Sequence, residues 1–390
     1  MDYFDRLGAL LEDGWKWEDR DEERFPEVAH AALEKLPPGA HLDLEAFADE
    51  VLDPHRALGR QLAPLGAFGQ PGVTAFYGRG FVIDVYFWTA AISAIHNQPF
   101  CGVFTLLRGS SVHARYRWQE REALGPRARL GELSLAALEL VEPGHVERFS
   151  LAAHPLVHAL VHVAVPSVSM VVRTIRTLGY LRYFPPSLAI AMDEPDEPIA
   201  RQLAVLDMLR VSRDPQSSLR RDRFLRAADF ETSFRALSRA FPSAGPEERA
   251  QLIELVRERH GDRALAIEPA LRHAARVQEG DAIRARLRDD DDRLVATALM
   301  LGDGRPAILD LVARRHADPV QRLHRFVDEA GLFEPDEEAS ALLAHGLVVG
   351  DALPALERRL VERYGAEAVA EQEEPVRAFV QGSVFSALSR

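Results

Sequence analysis

The chain is almost without cysteine and almost without lysine. One cysteine, Cys101, stands in 390 residues. That excludes an internal disulfide and any zinc site built from several thiolates. Of the 47 basic residues only Lys16 and Lys35 are lysine, and the rest are arginine. With abundant alanine and leucine, this usage marks a GC-rich, bacterial coding sequence before it marks a function. Positive charge is also short overall, the formal net charge being -13. So acidic a chain is a poor match for a phosphate backbone, and nucleic acid is not an expected partner. No apolar run reaches the length of a membrane span, and the acidic start "MDYFDRLGALLEDGW" lacks the basic opening of a signal peptide. A cytoplasmic protein without membrane contact is the expectation.

What is present falls into three stretches. Residues 1–65 read as a helical segment: in "HLDLEAFADEVL" Leu44, Phe47 and Val51 recur at helical spacing behind a cap at Asp43, and "KLPPGA" breaks the helix before it. Residues 66–192 turn to short β-rich runs with Gly and Pro between them. "GFVIDVYFW", "CGVFTLL", "SSVHARYRW", "LSLAALELV", "HALVHVAV" and "SVSMVVRTI" have the spacing of a sandwich or small barrel. "FPPSLAIAMDEPDEP" (Phe184 to Pro198) is Pro-rich and acidic and reads as the exit linker. Residues 199–390 read as an all-α domain. There "LGDGRPAILDLVARRH" resembles "VGDALPALERRLVERY", and "EGDAIRARLRD" carries the same Gly-Asp opening. Either a helical-repeat array or a set of similar amphipathic helices fits that echo. The expected class is α+β, a central β-barrel between helical segments.

Histidines carry the chemistry. Side chains alternate along a strand, so His96 and Gln98 share a face, as do His158, Leu160 and His162 in "HALVHVAV". Two histidine-bearing strands in one β region are what a metal site at a barrel mouth requires. Imidazole suits first-row transition metals, and a site with few protein ligands keeps positions for a substrate or O₂. Gln98 stands where a second histidine is expected, and its amide oxygen is the weaker ligand. His113 opens the strand after the Arg108-Gly109 turn and is set to face the interior with Arg115 and Arg117. Either His113 or His162 completes a set with His96 and His158.

Other features have simpler readings. His145 and His154 lie at irregular spacing near a turn and read as loop or surface residues. His30, His41 and His55 read as structural or exposed. "RDDDDR" lacks the alternating ligands and central glycine of a calcium loop and reads as a helix cap. His260 and His316 read as helix-end residues. "YGRGF" precedes a strand and not a helix, so it cradles no phosphate. No Gly-x-Ser-x-Gly elbow, Walker sequence or His-Glu-x-x-His helix occurs.

Two segments bear a resemblance. In "VYFWTAAISAIHNQPFCGVFTLLRG", Trp88, Ile95, His96 and Gly109 fit an aromatic strand, an Ile-His-x-His pair and a strand ending in a Gly turn. In "HALVHVAVPSVSMVV", His158 takes a ligand place, His162 an asparagine place and Ser169 a serine place. These motifs resemble the cupin superfamily, and within it the thiol dioxygenases typified by cysteine dioxygenase. The family's Tyr-x-Arg, whose arginine holds the substrate carboxylate, is similar to "YGR" with Arg79, and a guanidinium suits that task.

The resemblance covers the β region and nothing on either side. It implies a cupin-type barrel, Fe(II) or another first-row divalent metal, O₂, and a small carboxylate-bearing substrate with a thiol. It places ligands at His96 and His158 with Gln98 in the second histidine's place; with His113 added from the strand reading, the expected metal set is His96, Gln98, His113 and His158, with Arg79, Cys101 and His162 in catalytic roles. Three positions depart from the family: Gln98 replaces the second histidine, Gly102 stands where ordinary cupins often carry a glutamate, and Arg173 falls near the place of the tyrosine that partners the family's cysteine.

Two functions follow. One is a metal-dependent cupin oxygenase. The other is a degenerate, non-catalytic cupin scaffold whose C-terminal helical domain binds a protein partner. An isomerase on the same barrel is a third, since a fold alone does not decide its chemistry.

Overall fold

Most strands are buried on both faces, so it is the chemistry of alternate residues, apolar on one side and polar on the other, that tells their two faces apart. The computed structural model describes residues 2–62, 72–89, 94–193, 195–212, 216–334, 337–371, 376, 379–380 and 382–389. The strands are β1 (Gly72–Tyr77), β2 (Phe81–Trp88), β3 (Ile95–Asn97), β4 (Gly102–Arg108), β5 (Ser111–Ala123), β6 (Ala128–Val141), β7 (Val146–Phe149), β8 (Val157–His162), β9 (Ser167–Thr174), β10 (Leu181–Phe184) and β11 (Leu188–Ala191). Five form an antiparallel sheet in the order β1-β2-β9-β4-β7. The other six close on themselves as β10-β11-β6-β5-β8-β3, a ring in which β3 pairs back to β10. Closure leaves no free edge in that ring.

The outer faces are apolar and both are covered. On β2 and β9, Ile83, Val85, Val168, Met170 and Val172 pack against three N-terminal helices, α1 (Asp2–Trp17), α2 (Phe25–Lys35) and α4 (Leu44–Leu52), while the short α3 (Pro38–His41) lies outside that core. Helix α1 lies so close that a Cβ on Gly8 would fall 2.4 Å from the Phe76 ring. Asp43 caps α4 as expected, accepting from the amides of Glu45 and Ala46. On the six-stranded ring, Val112, Ala114, Ala159 and Val161 face the C-terminal helices in one continuous core.

Those helices are α5 (Glu197–Val211), α6 (Ser217–Ala227), α7 (Phe230–Ala240), α8 (Pro246–His260), α9 (Ile267–Arg286), α10 (Asp290–Leu301), α11 (Arg305–Val312), α12 (Pro319–Glu329), α13 (Glu338–Val349), α14 (Leu353–Tyr364) and α15 (Ala366–Glu371). A final 3-10 turn, Val384–Ser389, is buried among them. Asp289 caps α10 by accepting from the amides of Asp291 and Asp292, so "RDDDDR" is a helix start. Of the internal echo, Arg305 and Leu353 each open a Pro-led helix, whereas Gly280 of "EGDAIRARLRD" lies inside α9. Among the described residues no helix is long and apolar enough to cross a membrane.

The acidic, Pro-rich stretch requires correction. Phe184 ends β10 and Leu188–Ala191 is β11, a strand of the ring that pairs with β6 and β10. Only the residues after Ala191 lead out of the sheet. Leu188, Ala189, Ile190 and Ala191 are all buried, so this strand shows no alternation to distinguish it from an apolar linker. The core also runs across that exit: Phe184, Leu188 and Ile190 pack with Leu203, Phe230, Phe234 and Leu237. Arg127 fastens the junction, its Nε 2.9 Å from Glu231 and its Nη1 2.6 Å from Asp193. Residues 63–71 and 90–93, over which the start of the β region and the approach to His96 were read, lie outside the described residues.

Candidate metal centre inside the barrel

Where the outer faces are greasy, the inner ones are polar. Alternation turns Asp84, Tyr86 and Trp88 of β2 inward, with Ser167, Ser169 and Arg173 of β9. From the ring come Ser111, His113 and Arg115 of β5 and His158 and His162 of β8; Ser111 pairs with His162, His113 with Leu160 and Arg115 with His158. The two inner faces touch through rings: Trp88 lies 4.5 Å from His162, and Phe104 lies 5.3 Å from His113 and 6.3 Å from His158. Buried polar groups cost free energy unless satisfied, so this interior is unfavourable for stability alone.

Glu147 of the short strand β7 and His145 just before it join His113 in a group that could hold a metal ion. His113 Nδ1, His145 Nε2 and the Glu147 carboxylate bring their ligand atoms within 4.8 Å of one another. His113 Nδ1 lies 3.8 Å and His145 Nε2 lies 3.6 Å from the same oxygen, Glu147 Oε2. Both nitrogens are buried and have no hydrogen-bond partner among the described residues. Two buried ring nitrogens without hydrogen-bond partners, both close to one carboxylate oxygen, form a place that a divalent cation could fill. Arg115 Nη1 lies 3.7 Å from the other oxygen, Oε1, and orients the carboxylate. His113 is fully buried while His145 and Glu147 are partly exposed, which leaves the set reachable from solvent on that side.

Local sequence explains the placement. The amide of His145 donates to Glu142 O across a Pro143-Gly144 turn, with Gly144 at φ +94°. Only glycine adopts that conformation cheaply, and the turn delivers His145 directly onto the start of β7. Glu147 then pairs opposite Phe104 in the sheet, on its inner face. His145 is a loop residue, as expected, but a half-buried one placed just before β7, where it joins His113 and Glu147 in a group that could hold a metal ion. Period two would have found it, because His145-Val146-Glu147 puts histidine and glutamate on one side of a strand.

Protonation suits ligation. Burial is the main force holding His113 down to about 3 and His96 to about 4, and it holds His158 well below the ordinary histidine value. These imidazoles are neutral at physiological pH. Burial alone would raise the Glu147 carboxyl, but His145, His113 and Arg115 together hold it below its usual value.

The other expected residues are placed as follows. His96 and His158 are cross-strand partners with rings 4.7 Å apart, and Gln98 Nε2 lies 3.0 Å from His158 Nε2. His158 Nδ1 lies 2.9 Å from His113 Nε2, so both nitrogens of His158 face protein groups. His96 donates from Nδ1 to Ala94 O, 2.9 Å away. His162 stands further along β8, its Nδ1 2.8 Å from Ser111 Oγ, and burial with Arg284 nearby holds it at about 3. The structure thus joins His96, Gln98, His113 and His158 in one polar cluster and sets His162 beside Trp88.

Two residues lie elsewhere. Cys101 is buried but points to the N-terminal helices, its Sγ 3.7 Å from Glu23 Oε1, and burial pushes the thiol up to about 12. Arg79 is exposed in the turn between β1 and β2, where its backbone N–H donates to Glu12. The guanidinium inside is that of Arg173, 2% exposed, with Nε 3.2 Å from Asp84 Oδ2 and its face over Phe100. Its Nη1 has no hydrogen-bond partner among the described residues. At Gly102 a Cβ would lie 2.2 Å from Val172 O, so no ligand side chain fits there.

No family model and no curated protein matches the chain. Its closed six-stranded antiparallel barrel with a His/His/Glu group is compatible with a cupin-like fold.

Proposed function

We propose that the protein is a metal-dependent enzyme whose centre is His113, His145 and Glu147. The observation that carries this reading is the convergence of two orphaned imidazole nitrogens on one Glu147 oxygen inside the barrel. Two histidines and one carboxylate with remaining positions open are the donor set of non-haem Fe(II) oxygenases. Bound Fe(II) would supply O₂ chemistry. The chain's own residues do the rest: Arg115 pairs with Glu147 Oε1, the oxygen not shared by the two histidines, and His158 supports His113 through its Nε2. Phe104, against both His113 and His145, keeps that flank dry.

The substrate we propose is a small carboxylate-bearing molecule. Arg173 supports this class, because a fully buried guanidinium retains an unpartnered Nη1 on the inner face. Asp84 already neutralises part of its charge, which favours a single carboxylate over a phosphate.

The test is metal content. Protein purified from iron-supplemented cells should carry near-stoichiometric iron, and His145→Ala and Glu147→Gln should carry almost none while remaining folded. Equal metal in parent and variants would remove the centre and leave the barrel as a scaffold. One observation favours that second reading. Helix α5 exposes Val205, Met208 and Val211 and α6 exposes Leu219, an apolar surface on the helical half suited to a protein partner.

A further inference from the structure

Gln98 stands at the far end of a hydrogen-bonded chain. Its amide meets His158 Nε2 at 3.0 Å, His158 Nδ1 meets His113 Nε2 at 2.9 Å, and His113 Nδ1 is the atom turned toward Glu147. A neutral imidazole carries one N–H and one lone pair. Each ring must therefore donate on one side and accept on the other, and the three groups share one direction. Only two states exist. With the amide nitrogen toward His158, the protons run so that His113 Nδ1 carries a hydrogen and cannot bind a cation. With the amide oxygen toward His158, His158 Nε2 and His113 Nε2 hold the protons and His113 Nδ1 presents a lone pair.

The carboxamide reverses that direction by a half-turn about its last torsion. In the arrangement described, Nε2 faces His158 while Oε1 is buried with no hydrogen-bond partner among the described residues. The half-turn puts that oxygen onto His158 Nε2, which donates to it once His158 takes the Nε2–H tautomer. We propose that Gln98 is a positioning residue that sets the His158 and His113 tautomers, and that its amide oxygen, by accepting from His158 Nε2–H, commits His113 Nδ1 to the metal. This rests on the His113/His145/Glu147 reading above. It also gives position 98 a role that a histidine ligand there would not have: the residue acts through two rings and does not touch the metal.

The experiment uses the full chain, anaerobic titration with Co(II), and its visible spectrum as a second readout. The parent should bind one Co(II), and His145→Ala should lose it. Gln98→Met, which neither donates nor accepts well, should bind 10–100-fold more weakly, the range found when a ligand's hydrogen-bond partner is removed. Gln98→Glu, which keeps the acceptor at the same reach, should bind at least as tightly as the parent. Methionine and glutamate variants both within twofold of the parent, with His145→Ala still inactive in binding, would overturn the tautomer role and leave the centre standing. No Co(II) binding by the parent would overturn the centre and the role together. Nitrogen NMR of His158 in the unmutated, Zn(II)-loaded protein needs no variant to fold. The Nε2–H tautomer is expected, and Nδ1–H would refute the proposal.

Discussion

Along β5 and β8 the two faces of the barrel differ by one residue and by their whole chemistry. Val112, Ala114, Ala159 and Val161 point outward into a core shared with the C-terminal helices. Ser111, His113, Arg115, His158 and His162 point inward and meet histidines, carboxylates and aromatic rings. The outward residues explain why the barrel is stable, at roughly 25 cal/mol for each Å² of apolar surface removed from water. The inward residues work against that and must be held by partners. A polar interior between two faces covered by helices is where a functional site is to be sought.

The outer face should break first. Met170 is fully buried between β9 and the N-terminal helices, so Met170→Asp buries a carboxyl with no partner. A loss on the order of 4 kcal/mol or more is expected, seen as failure to accumulate soluble protein or as loss of far-UV circular dichroism.

Next come the inner ion pairs. Arg173→Met leaves Asp84 buried and uncompensated, which should cost about 3–5 kcal/mol in urea unfolding. The double variant Arg173→Met, Asp84→Leu should recover much of that. If it does not, the inner face is structural in the same sense as the outer one, and the contrast fails.

The histidines predict a pH dependence in the metal-free protein. An unfolded histidine takes up its proton near 6.5, whereas His113 and His162 resist to about 3 and His96 to about 4. Between those limits the unfolded state binds more protons. Stability is therefore full above pH 6.5 and is lost as pH falls toward 3. Each such histidine contributes a slope of about 1.4 kcal/mol per pH unit. Urea midpoints measured from pH 7.5 to 4 should fall accordingly, and His162→Gln should flatten the curve by one group. An unchanged slope would mean His162 is protonated in the native state.

The smallest effect belongs to Cys101. Its thiol faces Glu23 and the N-terminal helices, so Cys101→Ala should cost about 1 kcal/mol and leave metal affinity within twofold. A tenfold loss of metal affinity would place the thiol in the centre after all.

Much of this architecture was legible in the sequence, and the exceptions have physical causes. The six β-rich runs are strands because alternation and β-branched residues mark a half-buried face. β11 was hidden because Leu188 to Ala191 is buried on both faces and sits between prolines and acids. Parity correctly grouped His158 with His162 and turned His113 inward. It could not reveal which strands oppose one another, and the centre depends on β7 meeting β5 across the interior. His145 reads as a loop or surface residue because it lies near a turn, although that turn is what delivers it, and Glu147 two residues on carries no motif of its own. Cys101 and Gly102 alternate too, so a glycine lies inside and the thiol outside.

The most direct test is the position of the metal in a Mn(II)-soaked crystal, read by anomalous scattering. The account predicts a peak about 2.0–2.3 Å from His113 Nδ1, His145 Nε2 and Glu147, lost in Glu147→Gln. A second histidine pair lies on the helical half, where His324 Nδ1 and His345 Nδ1 are 2.7 Å apart and Asp328 backs His345. A peak there and none inside the barrel would contradict the account.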